Sequence, residues 1–91
     1  MQKLTSREIL AINLKYYRYQ HKLSQEKFVE LLKSSLTYIN QLENGQRNPS
    51  LDMLDKIAKK LKIETWLLLK YDKKHIIPLK RIDQKNNIPK N

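Results

Sequence analysis

Residues 34–51 read SSLTYINQLENGQRNPSL. They hold Gly45, the only glycine in a chain of 91 residues, and from Ser34 to Gln46 they carry no Lys, Arg or Asp. Charged residues make up 31% of the whole chain, so this stretch stands out. Ser34 or Ser35 is suited to cap a helix, which then runs through Glu43, and Gly45 is suited to the left-handed position just past its end. Ile39 and Leu42 point the same way on such a helix and fix its inward face. Thr37, Asn40, Gln41 and Asn44 then project outward, a face made of neutral hydrogen-bonding groups.

Working outward, Ser24 caps a helix over Gln25 to Leu32 with Phe28, Leu31 and Leu32 buried, leaving only about three residues before the next helix. Thr5 and Glu8 have the spacing of a capping box, and nothing breaks a helix from there to Gln20. Leu10, Leu14 and Tyr17 supply its core stripe. Ile9, Ile12, Tyr16 and Tyr19 make a second stripe, surplus to one amphipathic helix. Pro49-Ser50 starts a fourth helix with Leu51, Leu54, Ile57, Ala58 and Leu61 inward, and a short fifth helix is expected from Thr65 to about Tyr71. The fold class expected is all-α: five helices, the second and third joined by a tight turn, as a helix-turn-helix unit requires.

Composition narrows the function. There is no cysteine, and His21 and His75 are far apart, so neither a disulfide framework nor a metal site is indicated. No nucleophile–base motif and no glycine-rich phosphate loop occurs, so no enzyme and no cofactor is expected. The longest uninterrupted apolar run, Trp66 to Leu69, is far short of the about 20 residues of a membrane span, and no signal-peptide pattern opens the chain. A soluble cytoplasmic protein without a membrane role is the expectation. The formal net charge is +10, which attracts polyanions: nucleic acid, an acidic protein or an anionic surface.

The segment from Leu10 to Leu69 resembles the phage repressor and Cro-type (XRE-like) helix-turn-helix family. The resemblance rests on Leu23-Ser24-Gln25-Glu26, Ile39, Leu42-Glu43-Asn44-Gly45 and Arg47-Asn48-Pro49-Ser50-Leu51. It implies a sequence-specific regulator of transcription, a repressor acting as a homodimer on a palindromic site in double-stranded DNA. An antitoxin that also binds a toxin partner, or the controller protein of a restriction-modification system, remains open as the alternative. In the family, Leu36, Thr37 and Gln41 match the base-contacting positions, with Asn40 and Tyr38 beside them, and Gln25 matches the phosphate anchor. The N-terminus of the second helix, with Ser24 as cap, offers N–H groups to a phosphate, and Asn44, Gln46 and Arg47 would clamp the strand from the other side. Neutral amides and a threonine methyl suit base edges, whereas carboxylates would repel the phosphates. The bland readings are a solvated polar face and a solvent-exposed Arg47.

The family pattern also pairs Arg18 with Glu43, which falls near the inward side of its helix; Trp66 and Leu67, apolar where the family usually has polar residues, are surplus to one chain and are assigned to a twofold contact, as the family's smaller members suggest. Two unrelated surface charges would be the chance reading of the first pair. Three departures stand out: Lys22, Lys33 and Lys62 occupy helix ends where the family usually has glycine, so these turns are expected to differ. Where Trp66 stands, an acidic residue is common in the family.

Residues 1–71 form the expected DNA-binding domain and residues 72–91 a basic tail, in which Ile76, Ile77, Leu79 and Ile82 could dock as an extended segment on the surplus stripe of the first helix. Residues 1–69 hold 12 basic and 7 acidic side chains and residues 70–91 hold 7 and 2, so each part contributes +5. Each phosphate contact adds about −0.9 to the slope of log K against log salt. Truncation after Tyr71 is therefore expected to make that slope shallower, without changing the preferred DNA sequence, in titrations at several salt concentrations.

Overall fold

The computed structural model describes residues 3–76. Four α-helices occur in order, α1 (Ser6–Gln20), α2 (Gln25–Leu32), α3 (Leu36–Glu43) and α4 (Leu51–Leu61), followed by 3-10 turns at Thr65–Leu69 and Lys73–His75. Each α-helix starts on a hydroxyl. Thr5 and Glu8 close the capping box, with Glu8 N–H donating to Thr5 Oγ1 at 3.2 Å and Thr5 N–H to Glu8 Oε1 at 2.9 Å. Ser24, Ser35 and Ser50 accept from the N–H groups of Lys27, Tyr38 and Met53 at 3.0, 3.1 and 3.0 Å, and each cap satisfies one donor that the first turn leaves free.

The helices also end alike. Lys22, Lys33, Gly45 and Lys62 all take a left-handed conformation, with φ of 56°, 51°, 72° and 60°. The residue after each donates its N–H to the carbonyl five positions back: Leu23 to Arg18, Ser34 to Val29, Gln46 to Gln41 and Ile63 to Ala58. This is the Schellman closure. The three lysines therefore make the turn that glycine would make, so the altered geometry expected from their side chains does not arise. The closing hydrogen bonds, and the packing of Leu23 and Ile63 against the core, hold a conformation that costs a non-glycine residue about 1–2 kcal/mol.

The core is a single cluster of Leu10, Leu14, Phe28, Leu32, Ile39, Leu42, Leu54, Ile57, Ala58, Leu61 and Leu68. α1 packs on α3 and on the 3-10 turn Thr65–Leu69, while α2 packs on α3 and α4. His21 Nε2 lies 2.7 Å from the Leu61 carbonyl, which can only accept, and so ties the end of α1 to the end of α4.

Four expectations need correction. The fifth helix is a 3-10 turn that ends at Leu69, with Lys70 extended, so the fold has four α-helices rather than five. The reason lies in α1: the fully buried Asn13 places Nδ2 at 3.2, 2.7 and 2.9 Å from the carbonyls of Leu67, Leu68 and Lys70. The Leu67 carbonyl also accepts the Lys70 N–H that closes the turn, and the side-chain contacts to Leu68 and Lys70 hold the chain in the path that leaves the helix there. Leu51, expected inward, is 76% exposed, because periodicity fixes the side of a helix but not where along its axis the core ends. Leu31 is only half-buried. Ile9, placed on the surplus stripe, is 4% exposed: α1 is flanked by α3 and by both 3-10 turns, so one chain covers more than one of its faces.

On that same stripe the ring of His75 stacks on Tyr16, with centroids 3.7 Å apart and an interplanar angle of 12°. Its Nδ1–H donates to Asn13 Oδ1 at 2.8 Å, since the Asn13 amide nitrogen is already turned to the carbonyls. Burial holds His75 below its ordinary pKa; Asp72 opposes this and Lys70 adds to it. Ile76 is 51% exposed. Ile77, Leu79 and Ile82, expected to dock with it, lie outside the described residues.

The left-handed lysines give a stability prediction. Lys62→Gly removes the strain at φ 60° and restores backbone freedom to the unfolded chain. The first effect exceeds the second by a few tenths to about 1 kcal/mol, a net stabilisation that urea denaturation at constant m-value would read.

Candidate nucleic-acid interface

The surface predicted to face DNA is built on α3, the start of α2 and the loop after α3. Ile39 and Leu42 anchor α3 in the core, and Glu43 is also buried. Leu36, Thr37, Asn40 and Asn44 are exposed, and Tyr38 and Gln41 are half-buried. The outward side of the helix and its cap thus carries the amides of Asn40, Gln41 and Asn44, the hydroxyls of Thr37 and Tyr38 and the apolar Leu36, with no acidic residue in the first turn.

Beneath this face lies a buried ionic network. Arg18 Nε donates to Glu43 Oε2 at 2.7 Å and Arg18 Nη2 to Glu43 Oε1 at 3.0 Å, a side-on, two-bond pair. The two side chains are 6% and 3% exposed. Arg18 Nη1 also donates to the Leu23 carbonyl at 2.8 Å, in the turn before α2, and the guanidinium lies 4.6 Å over the Tyr19 ring. Burial works against the charge of Arg18, but the hydrogen bonds and attraction of Glu43 outweigh it and raise its pKa above the usual value. The carboxylate is shared: Gln25 Nε2 donates to Glu43 Oε1 at 3.0 Å. Gln25, the expected phosphate anchor, is held by the pair that holds α3. Ser24 Oγ is occupied as the acceptor of its helix cap, with its hydroxyl hydrogen left to donate.

The loop Asn44 to Asn48 is exposed except for Gly45, which packs by the start of α1; a Cβ there would stand 3.6–3.7 Å from Glu8 and the Arg7 carbonyl. From this loop Arg47 returns along α3. Its Nε donates to Gln41 Oε1 at 2.8 Å, and its guanidinium lies 5.0 Å over the Tyr38 ring. Sequence reading placed Arg47, Gln41 and Tyr38 on one surface but missed these contacts. The signal was available in the tight turn at Gly45, which brings a residue six positions on back to Gln41.

Trp66 lies away from the core, 61% exposed, with Leu69 and Tyr71 also exposed and Leu67 half-buried. Among the described residues, no group of three or more His, Asp or Glu side chains is placed to hold a metal ion, and no helix is long and apolar enough to cross a membrane.

Residues 14–65, over half of the chain, match the helix-turn-helix family HTH_3. The chain belongs to the helix-turn-helix family. It is similar to control protein C.SmaI of Serratia marcescens, at 40% identity over 63 residues, 69% of this chain and 75% of that one. Among solved structures it resembles the restriction-modification controller protein C.AhdI of Aeromonas hydrophila, at 34% identity and a TM-score of 0.64, over 68% of this chain and 94% of that one. The hypothetical transcription factor NHTF from Neisseria, at 24% identity and a TM-score of 0.71, covers 91% of this chain and 88% of its own and shares the fold. This helix-turn-helix protein is a DNA-binding regulator of transcription.

The buried network makes a prediction about folding. Glu43→Ala leaves the Arg18 charge buried without its partner and is expected to cost about 3–5 kcal/mol, while the double variant Arg18→Met, Glu43→Leu recovers most of the loss because no charge is stranded. Chemical denaturation of the three proteins checks both values.

Proposed function

We propose that this regulator reads duplex DNA sequence-specifically, as a homodimer on a palindromic operator, with Leu36, Thr37, Asn40 and Gln41 at the base edges. Ser24, Gln25, Tyr38, Asn44, Gln46 and Arg47 contact the flanking phosphates. The observation that carries the reading is the neutral outward face of α3, set rigidly by the buried contacts of Ile39, Leu42 and Glu43. Affinity comes from the excess basic charge and specificity from the amides, which is the division of labour that DNA recognition requires. No catalytic step is assigned, and the site of action is the cytoplasm, with the DNA.

The homodimer is supported by Trp66, Leu69 and Tyr71, large side chains left exposed beyond the last helix contacts of one chain. A second copy seated there by twofold symmetry would set two α3 helices to adjacent half-sites. Of the narrower roles, controller of a restriction-modification system is favoured over repressor of another operon or antitoxin, because the similar proteins C.SmaI and C.AhdI carry the controller name.

Selection of bound sequences from random duplex DNA is expected to return an inverted repeat whose half-sites lie about 34 Å, one helical turn, apart. Light scattering at tens of micromolar protein is expected to give twice the chain mass, and Trp66→Glu to give the mass of one chain with helicity unchanged. A single-chain mass for the unmodified protein rejects the dimer, and recovery of no common sequence rejects specific readout.

A further inference from the structure

Arg47 makes two contacts on the outward side of α3 that a solvated arginine or a simple phosphate clamp would not need. Its Nε lies 2.8 Å from Gln41 Oε1, and its guanidinium lies 5.0 Å above the Tyr38 ring, three residues earlier on the same helix. Arginine nitrogens only donate, so the Gln41 atom that faces Arg47 is the carbonyl oxygen. The amide is thereby prevented from turning over, and its NH2 group is the end left free. Tyr38 supplies a flat support that limits where the guanidinium can lie, and the Schellman closure at Gly45 brings Arg47 back to that support.

An unrestrained glutamine can present either end of its amide to a base pair. One with its oxygen held by Arg47 presents two N–H donors and retains one lone pair on the oxygen. Those donors match an acceptor on the base edge, a purine N7, guanine O6 or thymine O4, whereas the amino groups of cytosine and adenine can meet only the one lone pair that Arg47 leaves on the oxygen. From this geometry we infer that Arg47 is a positioning residue for base readout: it fixes the Gln41 amide with its NH2 free and so narrows the base that Gln41 accepts. This inference rests on the reading of α3 as the base-contacting helix and adds to it a residue outside that helix that sets specificity.

A double-mutant cycle on the full chain tests it. Affinities of the unmodified protein, Gln41→Ala, Arg47→Ala and the double variant are measured on the selected operator and on the three versions altered at the base pair where Gln41→Ala abolishes preference. Arg47→Ala is expected to reduce the preference at that base pair by about fivefold or more, the low end of what one good amide–base contact contributes to discrimination. In the Gln41→Ala background, the same substitution is expected to weaken all four sequences by one common factor. Both residues lie at the surface, and unchanged far-ultraviolet ellipticity checks that each variant is folded. If Arg47→Ala weakens all four sequences equally while Gln41 is intact, Arg47 only contacts phosphate and the inference is overturned. If Gln41→Ala alters preference at no base pair, the base-reading assignment of Gln41 fails instead, and the inference falls with it.

Discussion

The orientation of α3 depends on one buried carboxylate. Glu43 is the last residue of α3, and its two oxygens accept from Arg18 of α1 and from Gln25, the first residue of α2. Arg18 in turn holds the Leu23 carbonyl in the turn between α1 and α2. A single charge pair thus fixes the end of one helix of the motif against the start of the other. Burial makes the arrangement directional: neither ion can swing into water without leaving its partner buried and uncompensated, so the pair specifies geometry even if a well-packed apolar pair could match its stability.

The apolar core sets the distances between helices, and the polar contacts at their ends set their angles. Four serine or threonine caps and four left-handed closures define where each helix starts and stops, and the short connections follow from them. Asn13 has the same role for the chain after α4. Its amide nitrogen, held against the carbonyls of Leu67, Leu68 and Lys70, ties the end of the 3-10 turn to α1, and the following residues return to α1, where His75 covers Tyr16. A side chain buried in the first helix thereby decides the shape of the last described segment.

Function uses the same economy of charge. The ionic groups of α3 and of the loop after it are Glu43, buried in its pair with Arg18, and Arg47, engaged with a neighbouring amide and ring. What remains facing outward on α3 is neutral, the property that the proposed base readout uses, while in that proposal the net charge of the rest of the chain supplies attraction that does not depend on sequence.

The first four helices, the caps at Thr5, Ser24 and Ser50 and the outward set on α3 were legible in the sequence, with the α3 cap narrowed to Ser34 or Ser35, because hydroxyl caps, apolar spacing and Asn44-Gly45 act within a few residues of chain. Tertiary structure decided whatever depends on residues distant in sequence. The 3-10 turn at Thr65–Leu69 was not legible because its cause, Asn13, lies more than 50 positions away. The burial of Ile9 and the exposure of Leu51 reflect which elements flank α1 and how far the core reaches along α4, and periodicity carries neither. Likewise the lysines at helix ends read locally as unfavourable for a left-handed turn, and only the hydrogen bonds and packing that close those turns outweigh the cost. The link from Arg47 to Gln41 spans six residues, but it required the turn at Gly45 to be set in three dimensions before the guanidinium could reach the amide.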